Sequence, residues 1–124
     1  MKWNIINIEH NGRKGLRGTP KPNAVLGYTC WFDWKDVKQF KPLRLKLKGH
    51  PDYDWWDTTE VLELSIRYED ETDDVILILE TVNSIYYFEP IQYEEVEKLK
   101  KELQDVHRTT PIPFSNSYLA TMMI

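Results

Sequence analysis

The chain has a single cysteine, Cys30, so no disulfide can form within it. No apolar run approaches the ~20 residues that a membrane-spanning helix requires. The opening Met1-Lys2-Trp3-Asn4 has no long apolar stretch behind its basic residue, which argues against a secretory leader. Together these absences point to a reducing, cytoplasmic setting. Catalytic signatures are missing as well. There is no Gly-x-Ser-x-Gly, no His-Glu-x-x-His, no Cys-x-x-Cys pair and no phosphate loop. His10, His50 and His107 are scattered, and only Glu9-His10 and His50-Pro51-Asp52 bring an acid near an imidazole. Cys30 sits among aromatic residues, where a thiol serves as a small hydrophobe rather than a nucleophile. The expectation is a chain that is not an enzyme and needs no cofactor.

What is present fits one globular domain, residues 1–124. Apolar residues make up 41% and charged residues 29%, both ordinary for a folded chain. The net charge of −4 conceals an asymmetry: residues 1–50 carry 11 Lys/Arg against 3 Asp/Glu, and residues 51–124 carry 5 against 17. Such halves either complement each other inside the fold or give a dipolar surface that steers a charged partner.

Strand signals dominate. Leu43, Leu45 and Leu47 alternate with Arg44, Lys46 and Lys48. That cationic row can protect a sheet edge, bind phosphates, or pair across strands with Glu63 and Glu69; edge protection and pairing are the preferred readings. Leu62, Leu64, Ile66 and Tyr68 alternate with polar residues in the same way, and Val75 to Leu79 is an unbroken apolar run suited to an interior strand. Trp3 to Ile8, Leu26 to Trp34 and Ile85 to Phe88 complete the set. In the second of these, Tyr28, Cys30, Phe32 and Trp34 share one face, and Trp31 lies on the other. After Pro90, residues Tyr93, Val96, Leu99, Leu103 and Val106 recur at helical spacing, with glutamates early and His107-Arg108 late. The expected fold is therefore α+β: an antiparallel sheet of five or six strands, with one main C-terminal helix at about 91–107 packed on one face.

Two irregular stretches invite functional readings. Residues 11–23 combine three glycines and two prolines with Arg13, Lys14, Arg17 and Lys21, a composition that can approach an anion closely. Residues 49–60 hold His50, Asp52, Tyr53, Asp54, Trp55, Trp56 and Asp57. Clustered carboxylates beside a histidine suggest a hard cation, but the spacing lacks the central Gly and closing Glu of a calcium loop, and no metal is expected. Aromatic residues in such a segment suit a protein interface better. In an extended chain Trp55 and Trp56 point opposite ways, so one faces outward.

The resulting expectation is a small, acidic, cytoplasmic protein-binding inhibitor of the immunity-protein, antitoxin or phage anti-defence type. Its partner would be a basic toxin, nuclease or defence protein. Tyr53, Trp55 and Trp56 would anchor the contact, with Asp52, Asp54, Asp57, Asp70 and Asp73 as the acidic rim. The alternative is a binder of an anionic small molecule such as a nucleotide, held by Arg13, Lys14, Arg17 and Lys21. The net acidity argues against general nucleic-acid binding.

Overall fold

The computed structural model describes residues 1–10, 22–68, 75–91, 97 and 110–111. Strands and two short 3-10 turns are the elements whose bounds are described, and Glu97 is helical. The strands are β1 (Lys2–His10), β2 (Thr29–Trp31), β3 (Pro42–Lys48), β4 (Trp55–Tyr68), β5 (Val75–Thr81), β6 (Ser84–Pro90) and β7 (Thr110–Pro111). The turns are Pro22–Val25 and Trp34–Asp36.

Each of the first five strands pairs antiparallel with the next, and β6 returns to pair with β1. The result is a closed six-stranded antiparallel barrel, with β7 paired to β4 at Ser65 and Ile66, past the residues that pair with β3. This corrects the expected α+β class. An open sheet needs a second layer to cover its apolar face; a closed sheet covers that face with itself and leaves no long edge to protect. The helix expected at 91–107 lies outside the described residues apart from Ile91 and Glu97.

Closure rests on β4. Its first half, from Trp55 to Glu60, pairs with β3, and its second half, from Val61 onward, pairs with β5. Register shifts in both pairings mark bulges on either side of Val61. Each bulge adds a bend and moves the inward phase by one residue. Trp56, Thr58, Val61, Leu64 and Ile66 therefore face inward, and Leu62 drops out of the alternation expected for it. The segment 55–60, expected to be irregular, is strand.

The interior is filled by alternating residues from the six barrel strands. Trp3, Ile5, Leu45, Leu64, Leu77, Leu79 and Phe88 are wholly buried. One end of the barrel is aromatic. The Trp3 ring stacks on Phe32 with centroids 5.3 Å apart, its Nε1–H donates to the Phe32 carbonyl at 3.0 Å, and Phe88 meets both rings edge-on. Farther along, Trp56 donates Nε1–H to the Tyr86 hydroxyl at 3.1 Å, which satisfies a polar group that burial would otherwise leave unpaired. β5 lies between β4 and β6; Val75, Leu77 and Leu79 point inward, while Ile76 and Ile78 are half-buried on the outer side.

Candidate functional site

β3 presents Leu43, Leu45 and Leu47 to the core and Arg44, Lys46 and Lys48 to solvent. Edge protection does not hold for these cations. β3 has a neighbour on each side, so there is no edge to protect. Glu63 lies in the part of β4 that pairs with β5, and Glu69 lies outside the described residues. The cations lie instead beside tryptophans.

The barrel register places Lys2 opposite Trp31, Trp31 opposite Lys46, and Lys46 opposite Trp55. Four strands thus contribute one row of alternating cation and indole on the outer face. Lys2 Nζ sits 4.8 Å from the Trp31 ring centre; Lys46 Nζ sits 6.0 Å from Trp31 and 5.8 Å from Trp55. Arg44 extends the row, with its guanidinium carbon 5.7 Å from Trp55. Each such contact contributes roughly 0.5–1 kcal/mol at an exposed site, enough to orient the rings. The rings nevertheless stay open to solvent: Trp31 is 44% exposed and Trp55 50%.

Asp57 closes one end of the row. Arg44 donates to it through Nε at 2.7 Å and through its terminal nitrogen at 3.0 Å, a two-point fork. That hydrogen bonding holds the Asp57 carboxyl below its ordinary range and raises Arg44 in turn. Among the described residues no carboxylate pairs with Lys2, Lys46 or Lys48. The other end of the face carries Asn4, Thr29 and Lys48 in matching register, with the Thr29 hydroxyl donating to Asn4 Oδ1.

The residues expected to form one anchor are divided. Trp55 is outward. Trp56 is inside the barrel, 7% exposed, and so is not a surface anchor. Tyr53 is exposed but belongs to a loop cluster: it meets Trp56 edge-on at 5.5 Å and His50 at 5.1 Å, and Tyr28 lies 4.4 Å from His50 on the other side. His50 Nδ1 accepts the backbone N–H of both Asp52 and Tyr53, so the proton resides on Nε2, which donates to the Ala24 carbonyl at 2.7 Å. His50 therefore fastens the β3–β4 loop to the turn before β2, and both ring nitrogens are engaged in doing so. Gly49, at φ 71°, makes the sharp exit from β3 that permits this. Asp52 and Asp54 are exposed on that loop, and Asp54 uses its carbonyl to accept from the Leu47 N–H. Among the described residues no group of three His, Cys, Asp or Glu is placed to hold a metal. Asp70 and Asp73 lie outside the described residues, as do Arg13, Lys14, Arg17 and Lys21. Cys30 is buried, and burial pushes its thiol up to about 12, which disfavours the nucleophilic thiolate.

Sequence reasoning missed Lys2, Trp31 and Lys46 as members of one site. The local signals were the placement of Trp31 on the strand face opposite Cys30 and the outward alternation of Arg44, Lys46 and Lys48. No protein-family model, curated protein or solved structure matches the chain.

Proposed function

We propose that this chain is a small binding module that blocks a partner protein, with the outer face of β1 to β4 as its contact surface. One observation carries the reading: Trp31 and Trp55 stand outward on a rigid closed barrel, two strands apart in one register row. Large rings fixed on regular strands lose little freedom on binding, and Trp is over-represented among residues that dominate interface energy. The sign of the surroundings differs from the acidic rim expected from composition. Lys2, Lys46 and Arg44 flank the rings, so the chemistry of the contact is cationic and aromatic.

The test is capture from host lysate with the intact protein, followed by dissociation kinetics against the protein recovered. Trp31→Ala and Trp55→Ala should each speed dissociation, at a cost of about 2 kcal/mol or more if the ring is a central anchor. Folded variants that release the partner at the wild-type rate would place the interface elsewhere. Failure of the wild type to retain any protein at stoichiometric amounts would remove the reading.

A further inference from the structure

We propose that the Lys2–Trp31–Lys46–Trp55 row receives carboxylate side chains lining a concave surface of the partner. The inference rests on the blocking function proposed above and names the chemistry that this face recognises.

The molecule contains one worked instance of the contact. Arg44 lies over Trp55 and is closed by the Asp57 carboxylate from the neighbouring strand. The same cation-beside-indole unit recurs at Lys46 with Trp31 and Trp55, and at Lys2 with Trp31, but there no carboxylate of the described residues completes it. A carboxylate from outside would complete Lys46 and Lys2 as Asp57 completes Arg44, while apolar atoms beside it cover the indoles.

Charge favours protein carboxylates over a nucleic-acid strand. A strand binds through a succession of phosphate contacts along a basic track. Here the track ends at a fixed carboxylate, Asp57, with exposed Asp54 and Glu60 in the same stretch of chain, and the whole chain carries −4. A polyphosphate leaving the row would meet repulsion, whereas carboxylates on a protein are local charges that need match only the row. Shape adds a second constraint. Neighbouring strands lie ~4.8 Å apart, so the four-residue row spans about 14 Å around a convex barrel wall. Only a surface that is concave in that direction can touch both ends.

The probes are fluorescently labelled polyglutamate and a labelled single-stranded oligothymidylate, each titrated with the intact protein at low and high salt. Polyglutamate should bind, lose affinity as salt rises, and bind at least about tenfold more weakly to Lys2→Glu/Lys46→Glu. Lys2→Gln/Lys46→Gln should weaken it less. That pair, checked by circular dichroism, guards against a folding defect in the charge reversal. Tighter binding of oligothymidylate than of polyglutamate would overturn the proposal and assign the face to nucleic acid. No polyglutamate binding, or binding indifferent to the charge reversal, would also overturn it. If polyglutamate fails while Trp31→Ala and Trp55→Ala still release the captured protein, carboxylate recognition falls and the blocking function stands. If polyglutamate behaves as expected but the tryptophan variants retain that protein, the blocking function falls instead.

Discussion

Trp55 and Trp56 are neighbours in sequence and opposites in setting. Trp56 is enclosed by the barrel, with its single donor satisfied by Tyr86 and its ring in a T-shaped contact with Tyr53. Trp55 lies on the outer wall, held by Lys46 and Arg44 and half open to solvent. The same contrast runs along β3, where leucines point into the core and cations lie beside the indoles. The two faces of one strand pair thus separate two kinds of work. The inner face stabilises the fold by burial. The outer face gains little stability from contacts of a few tenths to one kcal/mol, yet keeps two large rings oriented. A ring that contributes little to folding and is still held in place is suited to binding.

The largest expected effect is the one that breaks this pair apart. Trp56→Ala should destabilise the protein by about 3–5 kcal/mol, because it opens a cavity in a packed interior and removes the buried hydrogen bond to the Tyr86 hydroxyl. Trp55→Ala should cost about 1–2 kcal/mol, the scale of its two exposed cation–π contacts. Chemical denaturation of the two variants checks the contrast. Equal losses would mean that Trp55 is part of the core after all and would undo the division of faces.

This division also measures what the sequence allowed. The inward leucines of β3 follow from period-two alternation, the interior place of β5 from its unbroken apolar run, and adjacent tryptophans on a strand must point oppositely. Closure was hidden because it depends on Trp3 meeting Pro90 and Ile5 meeting Phe88, pairings across most of the chain that no local periodicity encodes. The bulges around Val61 were hidden for a related reason: a bulge breaks the alternation by which strands are read. The candidate row was the least legible part. Its members are Lys2, Trp31, Lys46 and Trp55, and only the register of four strands brings them into line.

A smaller effect should come from Phe40. Its ring is 66% exposed and its backbone has φ 63°, the left-handed region that bulky residues avoid. The conformation is imposed from β4: Phe40 N–H donates to the Val61 carbonyl at 2.7 Å, and Val61 N–H donates to the Lys41 carbonyl at 3.0 Å. Left-handed backbone costs a residue with a side chain roughly 1–2 kcal/mol, and glycine gives back part of the relief through its greater freedom when unfolded. Phe40→Gly should therefore raise stability by about 0.5–1 kcal/mol, read as a higher denaturation midpoint with an unchanged slope. A loss of stability would mean that this exposed ring packs usefully and that the outer wall is less passive than the comparison holds.

The smallest effect concerns the ion pair at the end of the row. Arg44 and Asp57 are both well exposed, with side chains 63% and 52% accessible, so water screens the pair and its net contribution is slight. Its pH dependence has a definite sign. The fork from Arg44 holds the Asp57 carboxyl below its unfolded value, so the folded state binds its proton less readily than the unfolded state does. The pair's contribution is fully present above the ordinary aspartate range, near pH ~4, and fades as pH falls through the lower folded value. Asp57→Asn should therefore be slightly less stable than wild type at neutral pH, and the two should converge on acidification below about pH 4. Added salt at neutral pH should narrow the same gap. Stability curves for both proteins across acid pH, at low and high salt, would show it. A gap that persists unchanged in acid would mean that Asp57 acts through packing against Trp55 and not through its charge, and the carboxylate beside this indole would then be no guide to what Lys46 and Lys2 accept.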